Sequence, residues 1–464
     1  MPAILRKRKM LRLRRNGWRW QGAVWLAAVV VAANCPRHAL HGEDSVPSGV
    51  VITIPLEYQE TAHPFLFREV RVERYTNSFP KEPARAAGQV VRGVLKFGDN
   101  PSNTIPFLWQ YGAKKMFLDL NRNGDLTDDA DGVVLAQVLY SVSPLFINQL
   151  FTNVCVSFPA ASGSAPMLVN LHLSMDAVRR PGWPYCDAQL RSFWQGKVTV
   201  DGHDWQVGLM QNLSDQPGSF PHGQLLLRPW NEQTRSFMAA TEKAEDTMGL
   251  PWEGQNRMAR ASEAFAFSPA IFFEGHAWQL DWNAEPRSRA EKLDLRLTER
   301  PTPLGELRIT GSYIHRLVLA GGPYVVVLDR PPVSVKIPPG RYYPYRVWLG
   351  QDGAEAYFNY GVPRTAKANV MEPITGAKLP VVKPPAPEQA IVVEEHQPAV
   401  LVVGGPLTNC ISAAHRGRNL LLSYRLTGAG GGTYWLARFD HWKPPRFTVS
   451  TPGKPGGSGE FEFG

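Results

Sequence analysis

Short runs of alternating apolar and polar residues, separated by glycine and proline, recur along the chain from residue 49 onward. In residues 151–158, for example, Val154, Val156 and Phe158 alternate with polar neighbours, as they do in a half-buried strand. The 464 residues include 41 Gly and 40 Pro, and such frequent turn residues favour short strands over long helices. The sequence therefore predicts a mainly all-β protein built from tandem β-sandwich-like domains.

Breaks in this pattern predict the domain organisation, since the length alone suggests about three domains. Pro-rich breaks interrupt the strands at residues 181–184 and 301–303. A stretch of good helix formers at 236–248 predicts one small helical insertion. The predicted segments are a β domain with an Asp-rich loop at 49–182, a second β domain at 183–300 with the helical insertion at 231–265, a β-sandwich unit at 301–372, a Pro-rich linker at 373–388 and an Ig-like C-terminal β-sandwich at 389–464.

Two stretches of the second β domain resemble each other. Residues 193–212 read as a hairpin with Asp201-Gly202 at its tip, and residues 270–282 carry Glu274-Gly275 between two apolar runs. An Asp-Gly pair between alternating apolar runs is a strong hairpin pattern. Together with the strand–turn–strand stretch at 93–121, they predict a degenerate internal repeat.

The first 33 residues have the pattern of a secretory signal peptide. An apolar run at 22–33 is about 12 residues long, too short for the roughly 20 residues of a membrane span, and Val31-Ala32-Ala33 offers small residues for cleavage after Ala33. A lipoprotein modified at Cys35 and an uncleaved anchor are the alternatives. We therefore expect a signal peptide at 1–33, a mobile N-terminus at 34–48, and a secreted, periplasmic or cell-surface protein without a transmembrane segment in its mature chain. The basic residues ahead of the apolar run are Arg6, Lys7, Arg8, Lys9, Arg12, Arg14, Arg15 and Arg19.

The net charge argues against a nucleic-acid partner. The formal net charge is +9, and removal of the eight basic residues of the N-terminal segment leaves +1. The basic excess is therefore concentrated in a segment that the mature chain is expected to lose, and it does not form a phosphate-binding surface.

Residues 119–131 concentrate five carboxylates and a single basic residue, Arg122. Oxygen-bearing side chains stand at the first, third and fifth places, and Gly124 is sixth, where a calcium loop turns sharply. Calcium prefers six to eight oxygen ligands, and carboxylates this close together repel each other without a cation. The sequence therefore predicts a Ca²⁺ site whose ligands are Asp119, Asn121, Asn123, Asp125 (through its backbone carbonyl) and Asp129.

The closing ligand of this loop is less well defined. The twelfth place, which normally holds a bidentate carboxylate, is Ala130, so Asp128, Asp129 or Asp131 has to close the site, and we favour Asp129. The alternatives are an acidic Asn-Gly turn that binds no metal, or a site for magnesium or another metal.

Three resemblances extend these expectations. Residues 119–126 resemble the calcium loops of EF-hand and dockerin proteins, which implies a Ca²⁺ cofactor. Residues 333–349, a strand, a Pro-Gly-x-Tyr turn and a strand, resemble a unit of prealbumin-like and carboxypeptidase-regulatory-like β-sandwiches. The layout as a whole resembles uncharacterised secreted β-rich proteins of planctomycete and verrucomicrobial type, which implies export and no particular activity.

Four cysteines are present, and an exported chain permits disulfides. Proximity in the sequence favours a Cys155–Cys186 bond, with Cys410 either free or paired with Cys35. The sequence does not determine connectivity, and four unpaired thiols are the alternative.

No catalytic motif stands out. The chain lacks a nucleophile elbow, a His-Glu-x-x-His pair, a phosphate-binding loop and a dinucleotide fingerprint. The adjacent pairs His203-Asp204 and Asp440-His441 are expected at turns or on the surface, because neighbours on a strand point to opposite faces. Catalytic residues therefore remain unknown, and the sequence favours a non-enzyme.

Two functions are compatible with these patterns. The first is a calcium-stabilised binding or scaffold module for an extracellular or cell-envelope ligand, with a glycan as one candidate. The second is a secreted hydrolase that acts on polysaccharide, which would need two facing carboxylates in a polar cleft. Aromatic clusters that could stack on sugars, or instead form core, are Trp183/Tyr185, Trp278/Trp282, Tyr342/Tyr343/Tyr345 and Trp435/Trp442.

Overall fold

The computed structural model shows a mainly all-β chain, as predicted. The predicted signal peptide, the mobile N-terminus, nearly all of the helical insertion and the Pro-rich linker lie outside the residues that the structure describes. Within the described residues, no helix has the length and apolarity that a membrane crossing requires. The described residues are 49–60, 66–75, 77–84, 89–138, 146–158, 166–176, 178, 183–213, 216–230, 264–351, 354–359, 390–416, 419–438, 446–451 and 454–460.

After a first strand, β1 (Val51–Glu60), the described chain contains eight strands that close into a barrel. Each strand pairs antiparallel with the next, and the last pairs back with the first, so that the barrel has no open sheet edge. The strands are β2 (Leu66–Arg74), β3 (Val90–Lys96), β4 (Thr104–Gln110), β5 (Lys115–Leu118), β6 (Val133–Val138), β7 (Phe146–Val156), β8 (Met167–Asp176) and β9 (Tyr185–Leu190).

Side chains fill the barrel interior. Along β3, for example, Val91 and Leu95 are buried while their neighbours are only partly covered. The buried indole of Trp109 donates a hydrogen bond to Gln149 Oε1 at 2.7 Å, and Gln149 Nε2 donates to the carbonyl of Tyr111 at 2.8 Å. Because the polar atoms inside are paired in this way, the interior is a packed core.

The next strands form one half of a large sheet, and β1 connects its two parts. Residues 51–56 of β1 pair with β16, and residues 57–60 pair with β10, so that one strand turns the corner between two layers. The layers enclose a common core in which the rings of Trp205 and Phe273 meet edge to face at 5.2 Å. The strands are β10 (Ser192–Val200), β11 (His203–Met210), β12 (Gln224–Pro229), β13 (Ala264–Ala266), β14 (Ala270–Phe273), β15 (His276–Trp282) and β16 (Leu293–Glu299).

The chain then builds a third layer. A small sheet of β20, β17 and β24 packs on the large sheet, which continues through β19, β18, β21 and β22. In β18, Leu317 and Leu319 face the small sheet while Val318 faces the opposite core, so its apolar run is continuous. The strands are β17 (Gly305–Thr310), β18 (Ile314–Ala320), β19 (Val325–Asp329), β20 (Ser334–Ile337), β21 (Gly340–Gln351), β22 (Ala354–Asn359), β23 (Ile391–Val393) and β24 (Ala399–Val402).

The C-terminal strands extend the large sheet beyond β22. They are β25 (Thr408–Arg416), β26 (Asn419–Thr427) and β27 (Thr433–Arg438), followed by a hairpin of β28 (Arg446–Thr451) and β29 (Lys454–Glu460). The large sheet thus contains strands from all four of the predicted β segments. The multi-sheet, sandwich-like architecture is as expected, whereas the bounds between segments stay a prediction.

The predicted Cys155–Cys186 disulfide is wrong, because both residues are free thiols. They lie on β7 and β9, which flank β8, and they pair with its opposite ends, at Leu168 and Leu173 respectively. Cys186 is buried in the barrel core, where burial raises the pKa of its thiol, while Cys155 lines a surface cavity. The barrel wall separates the two sulfur atoms. Cys410 is also free, and Cys35 lies outside the described residues.

Candidate functional site

The Asp-rich loop connects β5 to β6 and ends in a single turn of 3₁₀ helix, Ala130–Gly132. Leu126 anchors the loop, because it is buried against Phe79, Leu108 and Phe117. Its backbone N–H also donates to the carbonyl of Lys81 at 3.2 Å. Leu126, the eighth residue of the loop, therefore holds the loop against the barrel.

Asp119, the first predicted ligand, is completely buried. Its Oδ1 accepts a hydrogen bond from the N–H of Asn123 at 3.1 Å, and its Oδ2 accepts one from the N–H of Gly124 at 2.9 Å. The loop turns tightly here, with Gly124 at φ 83°, a conformation that favours glycine. Asp119 forms no salt bridge in the described part of the chain, and the Arg122 guanidinium of the same loop acts on it electrostatically. A buried carboxylate is costly without a compensating charge.

The next two predicted ligands, Asn121 and Asn123, are exposed, and their side-chain oxygens accept hydrogen bonds from the loop backbone. Asn121 Oδ1 accepts from the N–H of Asn123 at 3.0 Å, and Asn123 Oδ1 accepts from the N–H of Asp125 at 2.7 Å. Their amide nitrogens donate to the carboxylate of Asp128, at 3.2 Å from Asn121 and 2.6 Å from Asn123. Asp128 therefore lies directly against two predicted ligands.

The carboxylates of Asp125 and Asp129 have other partners. Asp125 accepts from Lys81 Nζ at 2.8 Å and from the N–H of Thr127 at 2.9 Å, and these bonds lower the pKa of its carboxyl to about 2. Asp129 Oδ2 accepts from the N–H of Leu120 at 2.8 Å and so ties the end of the loop to its start. The structure thus leaves the backbone carbonyl of Asp125, rather than its side chain, for a cation.

The donor set fits calcium. No group of three or more His, Cys, Asp or Glu side chains is placed to hold a metal ion in the described part of the chain. A cation in this loop would therefore draw on asparagine amide oxygens and backbone carbonyls together with the Asp119 carboxylate. Oxygen ligands of mixed charge suit a hard cation such as Ca²⁺.

A polar cavity of about 610 Å³ lies close to the end of this loop. The third closing candidate, Asp131, lines this cavity. Sequence reasoning did not find the cavity, because its walls come from six separate stretches of the chain. Its polar lining residues are Glu60, Asp131, Asn153, Cys155, Arg191 and Arg289.

Two arginines dominate the electrostatics of the cavity. Arg289 donates to Glu60 at 2.8 Å and lies over the ring of Tyr58, with its Cζ 5.4 Å from the ring centroid. Burial opposes the charge of Arg289, yet its pKa is raised because Tyr58, Cys155 and Glu60 surround the guanidinium. Arg191 donates to the amide oxygens of Asn153 and Asn170, and burial lowers its pKa.

A second polar cluster joins two hairpin tips of the large sheet, and we call it the paired turns (residues 201–203 and 274–276). Asp201 and Gly202 have φ of 49° and 78°, and Glu274 and Gly275 have 50° and 78°, the left-handed pair of a type I′ hairpin. Both predicted hairpins are confirmed. Each tip carries an acidic residue, a glycine and a histidine, a pattern that is visible in the sequence. The contact between the two tips is not visible there.

The contacts between the paired turns are reciprocal. His203 Nδ1 lies 3.0 Å from Glu274 Oε2, and His276 Nε2 lies 2.8 Å from Asp201 Oδ2. His276 Nδ1 also lies 2.7 Å from Glu299 Oε1. Its bonds to Asp201 and to Glu299 raise the pKa of His276 despite partial burial. The paired turns therefore form an ion-paired connection between the two layers of the large sheet.

Most of the predicted aromatic platforms belong to the core. Trp278 and Tyr342 are buried, and Trp282 packs edge to face on Phe220. Trp183 and Tyr185 differ, with 60% and 52% of their surface exposed. The side chains of Trp435 and Trp442 lie outside the described residues.

Comparison of the chain with models of protein families, with curated proteins and with solved structures finds no match.

Proposed function

We propose that this chain is an exported, calcium-stabilised multi-domain β protein that acts as a binding or scaffold module for an extracellular or cell-envelope ligand. The observation that carries the proposal is the buried carboxylate of Asp119, whose hydrogen bonds come from two backbone N–H groups. A divalent cation in the loop would compensate this charge. The likeness of residues 119–126 to EF-hand and dockerin loops supports calcium as that cation.

The ligands in this proposal are the side-chain oxygens of Asp119, Asn121 and Asn123, the backbone carbonyl of Asp125, and a closing carboxylate. Asp129 closes the site in the sequence-based prediction. The contacts of Asp128 with both asparagine amides support Asp128 as the alternative. Calcium would then connect the start and the end of the loop and stabilise the β5–β6 side of the barrel.

A thermal melt tests the calcium site. We expect the melting temperature to be higher in CaCl₂ than in EGTA, because a ligand at about 100 times its Kd stabilises the folded state by about 2.7 kcal/mol. Asp119→Asn should abolish the difference, whereas Asp99→Asn, an exposed carboxylate in the β3–β4 turn of the same barrel, should retain it. Equal melting temperatures of the wild-type protein in both buffers would contradict the proposal, and an equal effect of MgCl₂ would contradict the choice of calcium.

Export rests on the N-terminal sequence, where eight basic residues precede the apolar run at 22–33. In a host that recognises the segment, sequencing the N-terminus of the exported protein should identify Asn34 as its first residue. A product that retains Met1 and stays inside the cell would contradict export.

The cavity favours one second candidate, a hydrolase that acts on polysaccharide. Glu60 and Asp131 line the same polar cavity, and paired carboxylates are what glycoside hydrolysis requires. Release of reducing sugar from a polysaccharide by the wild-type protein, but not by Glu60→Gln or Asp131→Asn, would favour this candidate over a binding module.

A further inference from the structure

The strongest unassigned site is the cavity between the barrel and the large sheet. We propose that this cavity binds a hexuronate, a sugar ring that carries a carboxylate, with Arg191 and Arg289 on the carboxylate and Glu60, Asp131 and Asn153 on the hydroxyls. The inference rests on the proposed binding function, which it deepens by naming the class of ligand. The hexuronate can come from a free sugar acid or from an acidic polysaccharide, because both present the same ring.

The two guanidinium groups are the parts of the cavity wall that can bind a carboxylate. They come from different elements, since Arg191 follows β9 of the barrel and Arg289 lies between β15 and β16, and both line the same space. A guanidinium binds a carboxylate through two parallel N–H bonds, which fixes its orientation as well as its charge. Arg191 is also partly desolvated, so an anion beside it has a greater effect than it would in bulk water.

The acceptors beside the arginines select a ligand that also carries hydroxyl groups. Glu60 and Asp131 place carboxylates on the wall, and Asn153 adds an amide. Carboxylates and amide oxygens accept hydrogen bonds from hydroxyls, so a ligand that carries hydroxyls beside its anionic group fits this wall. The volume of about 610 Å³ lies within the range of small-molecule sites and is sufficient for one or two sugar rings.

The backbone at Asn153 provides independent support. Its φ is 61°, a left-handed conformation that is uncommon for a residue other than glycine. It lies in a bulge of β7, where the pairing with β8 shifts between Phe151 and Val154. Bulges redirect single side chains and are frequent beside binding sites. Here the bulge brings the Asn153 amide oxygen into contact with Arg191.

Cys155 allows the site to be tested in the unaltered protein. Its free thiol is partly exposed and lines the cavity, whereas Cys410 is a partly exposed thiol on β25. Iodoacetamide labelling, followed by peptide mass spectrometry, measures both in one sample. Galacturonate, or an oligogalacturonate, should slow the labelling of Cys155 about tenfold at about ten times its Kd, because labelling follows the unliganded fraction. Cys410 should label at an unchanged rate.

The control ligands separate the effect of the ligand's charge from the effect of its ring shape. Galactose has the same ring without the carboxylate and should give no protection. Protection by the monomer identifies a free sugar acid as sufficient, and protection by the oligomer alone identifies a polymer as the source; both support the inference. Equal protection by galactose, or protection by neither uronate, would overturn it.

A variant provides a second readout. Arg289→Gln should weaken galacturonate binding about tenfold or more by calorimetry, which corresponds to about 1.4 kcal/mol. Arg296→Gln, at an exposed arginine of β16 that lies outside the cavity lining, should bind like the wild type. Equal affinity of both variants would contradict the role of Arg289. The calcium melt on the same preparation distinguishes the two proposals, because a retained calcium shift without uronate protection rejects only the ligand.

Discussion

The Asp-rich loop and the paired turns both concentrate carboxylates at the ends of hairpins, but they compensate the charge differently. In the loop, Asp119 is buried and accepts hydrogen bonds from backbone N–H groups four and five residues further along the chain. In the paired turns, Asp201 and Glu274 meet histidines about 70 residues away in sequence. In the loop, the buried carboxylate of Asp119 is therefore held by backbone N–H groups, whereas in the paired turns the carboxylates meet histidine side chains.

We expect calcium to affect the two clusters differently. A cluster whose carboxylates already bond to histidine side chains gains little from a divalent ion, because the ion would have to displace these contacts. A loop of oxygen atoms held by backbone N–H groups gains a compensating charge. We therefore expect calcium and chelator to change the stability of the barrel. A change of pH from neutral to alkaline should change the stability of the large sheet.

The largest expected effect is that of Asp119→Ala. The substitution removes a buried hydrogen-bonded charge and leaves the N–H of Gly124 without its acceptor, so the free energy of unfolding should fall by about 3 kcal/mol. Urea unfolding in EGTA, followed by tryptophan fluorescence, measures this directly. Asp99→Ala, on an exposed turn of the same barrel, should change stability by less than about 0.5 kcal/mol. If the two substitutions lower the free energy of unfolding by the same amount, the buried carboxylate does not organise the loop.

A smaller effect is expected for His276→Gln, and it should depend on pH. The pKa of His276 is raised above its ordinary value of 6.5, so the folded state holds the proton more tightly than the unfolded state. The stabilisation is therefore complete below about pH 6.5 and is lost as the pH rises through the higher, folded-state pKa.

Urea unfolding of the wild-type protein and of His276→Gln across this interval tests the direction. The difference between them should be about 1 kcal/mol at pH 6 and should shrink toward alkaline pH. A difference that grows with pH would show that His276 is neutral in the folded protein.

The smallest effect is expected for His203→Gln. His203 bonds only to Glu274 and its side chain is 70% exposed, compared with 29% for His276. An exposed pair contributes little, so we expect a loss of about 0.3 kcal/mol at pH 6. Equal losses for His203→Gln and His276→Gln would mean that the two contacts are energetically symmetric, and that Glu299 adds nothing to the larger one.

Local patterns of the sequence by themselves determined the strands and the turns. Alternation predicted a strand at residues 151–158, where the second half of β7 (Phe146–Val156) lies, because a half-buried strand has to alternate. The Asp-Gly and Glu-Gly pairs predicted the hairpins of β10–β11 and β14–β15, since a type I′ turn requires left-handed backbone at both central positions. The acidic loop was equally visible, because the hydrogen bonds that its Asp and Asn side chains make within the loop span no more than ten residues.

Only the tertiary structure decided which distant residues meet. The closure of β9 onto β2, the shared strand β1 and the separation of Cys155 from Cys186 all depend on strand pairing, which a list of strands does not specify. The contact of His276 with Asp201, and the meeting of Arg191 with Arg289 in one cavity, join side chains from separate layers. Sequence spacing encodes contacts within a turn, whereas contacts between layers follow from how the sheets pack.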